Sequence, residues 1–510
     1  MNGADTAPVS RAPAWLSPAL VLVVVLLLFI GRSWAAWDTD LVDDEGYYTL
    51  WSLHLGPGYL DHPPAVAWTI ALGRSLLGEN SLGVRAFALL TPLLISLALY
   101  RTGAILFGTA VGLLAVLWYN LTFGISLSLL ATPDAPSMLF WMLALWALAE
   151  FLRSRNPNWW LLVGLFAGLG VLGKYTNLFL GLGLVLFLLS SAERRRWFRH
   201  WQLWAGGVVA LLVLAPNIWW NYQNDWAGIG FQGRRITGLF ASDPARNYLE
   251  LLGGQAIFLG PVTLLLALGG TIAWLLRRPT LQDREALALP VLSGLPALLY
   301  FIYHASHSSV GANWLLPLWP MLTLIAAWAA IRGLPSVGRH RWAAPTALYA
   351  QTIYGLVVVL FLQLVVILHP PQLERLDRTR DMRGWTEVRA AIDAIAEAQG
   401  ARWIGVINHY GILGLLASYG HFAGSDLPMI GIGDGYRYTF RPLPGAETLE
   451  GPGLLVVHSS SDRRWPPEEL FREVSELERV ERRFQGEAVA RYRVLAVSEP
   501  TPAFFDAIGP

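Results

Sequence analysis

The sequence predicts a polytopic α-helical membrane protein of about eleven transmembrane helices, followed by a small α/β domain outside the membrane. Three observations carry this. Of 510 residues, 54% are hydrophobic and only 14% are charged, and 24 are tryptophan, a balance typical of polytopic membrane proteins. Apolar stretches near 20 residues, the length a helix needs to cross about 30 Å of hydrocarbon, recur between residues 15 and 368. After residue 383 the pattern changes to short apolar runs separated by helix-like, charge-rich stretches.

The spans are expected near 15–36, 83–100, 103–123, 136–152, 159–173, 177–191, 203–221, 251–276, 286–304, 313–331 and 347–368. Ser33-Trp34-Ala35 loosely matches a signal-peptidase site. The apolar core before it is long and only Arg11 precedes it, so a retained signal anchor is expected. With a cytoplasmic N-terminus, alternate connections hold Arg101; Arg153 and Arg155; Arg194, Arg195, Arg196 and Arg199; Arg277, Arg278 and Arg284; and Arg332, Arg339 and Arg341. Every short arginine-dense connection then lies inside, as positive-inside topology requires. The outer face receives 37–82, 124–135, 174–176, 222–250, 305–312 and everything after 369. Residues 1–369 therefore read as the transmembrane domain, with amphipathic helices in its first outer loop. Residues 370–383, rich in Pro, Arg and Asp, read as a linker. The outer domain, 384–510, is expected to contain helices over 384–399, 410–419 and 467–479, with strands near 402–407, 427–432, 453–458 and 491–497.

The net charge of +1 provides no field for nucleic acid, and the absence of cysteine excludes disulfides and thiolate metal sites. What charge there is has a pattern. Asp38, Asp40, Asp43, Asp44, Glu45, Asp61, His62, Asp134, Lys174 and His304 all fall on or beside the outer segments, which points to one outward-facing polar cavity. In VDDEGYYTLW (42–51), three adjacent carboxylates beside a span repel one another unless solvated, paired or metal-bound. One of them, raised toward neutral pKa, would serve as a general base. Helical register puts Asp44 with Tyr48, and Asp43 with Tyr47. In YLDHPPAVAW (59–68) the double proline starts a helix and leaves His62 at its rim. In ATPDAPSM (131–138), Asp134 caps a span and can also face the cavity.

Lys174 is the single lysine; the remaining 36 of the 37 basic residues are arginine. It stands between two apolar runs, where an ammonium needs an anionic partner or a route to the headgroups. Arginine would snorkel equally well, whereas a compact ammonium suits a phosphate met end-on. Residues 217–235 hold Asn217, Trp219, Trp220, Asn221, Trp226, Arg234 and Arg235, and read either as an interfacial anchor or as a lid over a sugar and its phosphate.

Taken in order, the Asp44-Glu45 pair, the Asp61-His62-Pro63-Pro64 element, the Asp134 turn, the Gly-Leu-Gly-Val-Leu-Gly-Lys stretch ending at Lys174, PNIWWNYQNDW (216–226) and ANWLLPLWP (312–320) form a series. Over roughly residues 15–370 the chain resembles bacterial membrane glycosyltransferases related to protein O-mannosyltransferases and to the aminoarabinose transferase that modifies lipid A. The resemblance implies a GT-C fold, a polyprenyl-phosphate-linked sugar donor, and an acceptor hydroxyl on an envelope glycan, lipid or protein at the outer face of the bacterial inner membrane. It implies inverting transfer with Asp44 as base beside Glu45, and Lys174, His62 and Arg234 on the donor phosphate. Asp43, Asp61, Asp134, Tyr48, Trp220, Asn221 and Asn313 would line the cavity. The aminoarabinose transferases carry Glu-Lys before the double proline where this chain has Asp61-His62, which moves the phosphate role toward Lys174. No cofactor is demanded. The oxygens of Asp44, Asp61 and Asp134 could supply a divalent metal site, though no spacing demands one. The competing function is a transporter or flippase of lipid-linked sugars, which would instead carry midplane charges and repeated halves.

Overall fold

A computed structural model describes residues 13–237, 243–334, 343–370, 377–458 and 465–509. In chain order the principal helices are α1 (Pro18–Asp38), α2 (Asp43–Leu53), α3 (Ala65–Leu77), α4 (Ser81–Phe107), α5 (Thr109–Asn120), α6 (Asp134–Ser154), α7 (Trp159–Gly173), α8 (Leu178–Leu189) and α9 (Trp201–Gln223). They continue with α10 (Ala227–Thr237), α11 (Pro244–Leu259), α12 (Pro261–Leu275), α13 (Leu281–Ala305), α14 (Trp319–Trp328) and α15 (Ala343–Leu368). The rest of the chain runs α16 (Trp385–Ala398), β1 (Trp403–Ile407), α17 (Tyr410–Phe422), β2 (Met429–Ile432), β3 (Gly453–His458), β4 (Phe471–Phe484), β5 (Glu487–Pro500) and α18 (Pro502–Ile508).

The chain is a multi-pass membrane protein. Among the described residues, seven helices are long and apolar enough to cross a membrane, or up to nine if each bent pair is one span. Two of the eleven expected spans, 103–123 and 159–173, fall outside that count. Residues 103–123 do not form one span: α4 runs through to Phe107 and stops at Gly108, whose φ of 92° an L side chain rarely adopts, and α5 has only 12 residues. Likewise α7 has 15 residues, short of a full crossing. The stretch 251–276 is broken where Gly260, at φ 97°, precedes Pro261, so α11 and α12 meet at 110°.

Contacts divide the chain into two compact units. One comprises 1–32, 88–129 and 133–364; the other comprises 33–87, 130–132 and 365–510. The sequence reading put 37–82 with the transmembrane domain, whereas this loop packs with the C-terminal residues. In the first unit, the glycines before Lys174 are a helix seam. A Cβ on Gly164 would strike the backbone of Gly206, and one on Gly168 would crowd Ala210, so α7 and α9 run backbone against backbone. Gly173 does the same against Ser137, bringing the end of α7 onto the start of α6.

The second unit is built on a five-stranded sheet of order β2-β1-β3-β5-β4, with β1 parallel to β2 and β3, and β5 antiparallel to β3 and β4. The period-2 alternation of strand side chains sends Ile404, Val406, Leu454, Val456 and Val494 to one face. They are buried there with Val388 and Ile392 of α16, Ile412, Leu415 and Leu416 of α17, and Tyr47, Leu50 and Trp51 of α2. Trp403, Ile407, Leu455, Leu495 and Val497 face the other way, onto Phe504 and Ile508 of α18. The helix expected over 467–479 is instead mostly β4. Its Glu and Arg residues alternate along an exposed edge strand, where Arg493 reaches Glu476 and Arg491 reaches Glu481 across the β4–β5 pair.

Candidate active site

The acidic triplet opens α2, where carboxylates favour the unpaired N–H groups and the positive end of the helix dipole. Its three members have different surroundings. Glu45 is fully buried. Its Oε1 accepts from Arg85 Nε at 2.8 Å and from Ala131 N at 2.8 Å, and its Oε2 accepts from Arg85 Nη2 at 2.6 Å and from Val42 N at 3.0 Å. Arg85, also fully buried, donates further to the carbonyls of Ala36, Thr39 and Asp40 and to the Thr39 hydroxyl. With both oxygens engaged in this clamp, Glu45 fixes the loop.

Asp44 is half-buried and accepts the Tyr410 hydroxyl at 2.7 Å, while Asp43 is exposed with its side chain against Gly411. Tyr410 is the first residue of α17. Burial, and then the carboxylate of Asp44, push its phenol above the ordinary range, so it remains a proton donor. Its ring lies under the Arg437 guanidinium at 4.8 Å and edge-on to Tyr47 at 5.3 Å. Asp61 is buried and pairs with Arg437 at 2.7 and 2.8 Å, and it also accepts the Tyr47 hydroxyl at 2.9 Å. His62, beside it, is half-buried with its ring 6.2 Å from that of Tyr48.

In the first unit, Lys174 terminates α7 in an extended conformation, φ −157°, which turns its side chain toward α6. Its Nζ lies 2.7 Å from Asp134 Oδ1, and Asn313 Nδ2 donates to Asp134 Oδ2 at 2.9 Å. The side chains of Lys174 and Asp134 are 13% and 8% exposed. The anion beside the single lysine is therefore a residue of the chain itself. Of the other expected cavity residues, Asn221 is fully buried and structural: its amide donates to Asn217 O and Tyr175 Oη and accepts from Ile229 N, tying α10 to α9. Trp220 is half-buried, and Arg234 is exposed on α10 with its guanidinium 6.0 Å from the Phe231 ring.

The structure thus joins Asp134, Lys174 and Asn313 in one cluster, and Asp44, Asp61, Tyr47 and the C-terminal pair Tyr410 and Arg437 in another. Sequence reasoning missed Arg85, Tyr410 and Arg437. Arg85 carried a signal, being a lone cation in the first turns of an apolar helix. Among the described residues, no three His, Asp or Glu side chains are grouped closely enough to hold a metal ion.

Residues 61–220 match the family model described as dolichyl-phosphate-mannose-protein mannosyltransferase. Lipid A galacturonosyltransferase RgtD of Rhizobium johnstonii is 27% identical over 304 residues, 57% of this chain and 60% of that one. The undecaprenyl phosphate-α-4-amino-4-deoxy-L-arabinose arabinosyl transferase of Pseudomonas paraeruginosa is 33% identical over 167 residues, 31% of this chain and 29% of its own. The crystal structure of ArnT from Cupriavidus metallidurans bound to undecaprenyl phosphate superposes with a TM-score of 0.64 over 98% of this chain and 100% of that one, at 16% identity. The chain shares the fold of that ArnT structure and, over residues 61–220, is similar to the protein mannosyltransferase family. The matched stretches span under two thirds of both sequence relatives, whereas the structural match covers 98% of this chain.

Proposed function

We propose that this protein is an inverting glycosyltransferase that moves a sugar from a polyprenyl-phosphate donor to a hydroxyl of lipid A or a similar envelope glycolipid. The reaction takes place on the outer face of the inner membrane, with the N-terminus cytoplasmic and residues 384–510 outside. The observation that carries this is the contrast inside the acidic triplet. Glu45 is fully buried against Arg85, while its neighbour Asp44 is partly exposed at the start of α2, where it accepts a hydrogen bond from the Tyr410 hydroxyl.

Asp44 takes the proton of the acceptor hydroxyl as that oxygen attacks the anomeric carbon. The new C–O bond forms as the bond from that carbon to the phosphate oxygen breaks, and the electron pair leaves with the polyprenyl phosphate. Lys174 Nζ has three N–H groups, and Asp134 accepts one of them. The remaining donors stabilise charge developing on the leaving phosphate, where an excluded-water setting strengthens the interaction. Asp134 and Asn313 hold the ammonium in place. His62 and Arg234 are the further contacts to the donor. The names of the two sequence relatives support a lipid A-type acceptor and a uronic or amino sugar.

The purified protein in lipid nanodiscs, given lipid A and a panel of polyprenyl-phosphate sugars including galacturonic acid and 4-amino-4-deoxyarabinose, tests this. A lipid A mass increased by one sugar, with free polyprenyl phosphate released, is the expected product. Movement of intact donor across the bilayer without cleavage would replace transfer with transport.

A further inference from the structure

The C-terminal α/β domain has no part in the reaction described above, yet it meets α2 more intimately than a tethered accessory would. Gly46 of α2 and Gly414 of α17 face each other. A Cβ on Gly46 would lie 2.6 Å from Leu415 N, and one on Gly414 would lie 2.5 Å from Tyr47 N. Only glycine at both positions lets the two backbones approach this closely. The Ser418 hydroxyl then donates to Gly46 O at 3.1 Å, within one turn of Asp44. About two turns back along α17 from Ser418 stands Tyr410, whose hydroxyl meets Asp44 Oδ1 at 2.7 Å. Tyr410 is held in turn: Tyr438 Oη donates to its carbonyl at 3.2 Å, and Arg437, itself pinned by Asp61, covers its ring.

We infer that Tyr410 is a positioning residue for the Asp44 carboxylate, so that the C-terminal domain completes the reaction centre. This rests on the reading of Asp44 as the base. A carboxylate on the first turn of a helix turns about two side-chain bonds. A hydroxyl fixed 2.7 Å from Oδ1 sets the plane of the carboxylate that meets the acceptor. The other charged groups acting on this pair are Arg437, which lies over the Tyr410 ring, and Asp43, which precedes Asp44 on α2.

The test is steady-state kinetics of the full chain in nanodiscs, with the donor and lipid A pair that gives turnover in the panel above. Tyr410→Phe keeps the ring contacts with Arg437 and Tyr47 and deletes only the hydroxyl. Its kcat is expected to fall roughly ten- to a hundredfold, the range a hydrogen bond to a charged group carries, with donor KM and melting temperature unchanged. Added to Asp44→Asn, the same substitution is expected to lower the residual rate no further, because the two groups act as one. Wild-type kcat in Tyr410→Phe, or a parallel fall in kcat, affinity and melting temperature, overturns the inference. Turnover retained by Asp44→Asn defeats the base assignment instead. An inactive Asp44→Asn beside a fully active Tyr410→Phe defeats the positioning role alone.

Discussion

Glu45→Ala separates structure from chemistry within the acidic triplet. The change leaves Arg85, fully buried, without its carboxylate, and strips the acceptor from the amides of Ala131 and Val42. The two Nη groups retain the carbonyls of Ala36, Thr39 and Asp40 and the Thr39 hydroxyl, while Nε loses its acceptor and the guanidinium loses its carboxylate partner. Removing one partner of a buried pair costs about 3–5 kcal/mol. That is a large share of the 5–15 kcal/mol that holds a typical domain together. For a unit near 200 residues the melting temperature falls by roughly 10 °C. The assay is thermal unfolding in detergent followed by tryptophan fluorescence, with Asp44→Asn as the control. Asp44 is half-exposed, so its neutral isostere is expected to melt within a few degrees of the parent while losing transfer. A Glu45→Ala protein that melts with the parent and loses only activity would show that Glu45 acts in chemistry and that the clamp is not what holds the loop.

Two further expectations concern ionisable groups. Lys174→Ala is expected to weaken binding of polyprenyl phosphate at least tenfold while leaving acceptor affinity unchanged, and equal donor affinity in titrations of the two proteins would return Lys174 to a purely structural pair with Asp134. Asp434 is buried with Oδ1 unpartnered, and burial pushes its pKa up to about 6. Between about pH 4 and pH 6 the folded state therefore keeps a proton that the unfolded chain has released, and the contribution of this group to stability falls as pH rises through that window. Above it the penalty is of order 2–3 kcal/mol. Asp434→Asn is expected to raise the melting temperature at pH 7.5 and to leave it unchanged at pH 4; an equal change at both pH values would contradict this.

Much of this arrangement was legible in the sequence, and the parts that were not have physical reasons. Apolar length located the long spans, but not the breaks at Gly108 and Gly260, where a positive φ ends a helix that hydropathy alone carries onward. Strands β1, β2 and β3 were visible as apolar runs. The charged strand β4 was not, because on a solvated edge its Glu and Arg pair across strands and mimic a salt-bridged helix. Lys174 and Asp134 each stood out as isolated charges beside apolar runs. Their pairing spans 40 residues and depends on Gly173 lying against Ser137. Tyr410 and Asp44 are 366 residues apart, and no local propensity connects them. The facing glycines 46 and 414 that bring them together look, in sequence, like any other helix glycines.

The central claim is that Asp44 serves sugar transfer from a lipid phosphate, and the most direct measurement is mass spectrometry of envelope lipids from a strain lacking the gene, complemented by the parent or by Asp44→Asn. The account predicts a glycolipid one sugar lighter and an accumulated polyprenyl-phosphate sugar in the deletion strain, both reversed by the parent protein and neither by Asp44→Asn at equal membrane abundance. An unaltered glycolipid profile in the deletion strain, or full restoration by Asp44→Asn, would contradict it.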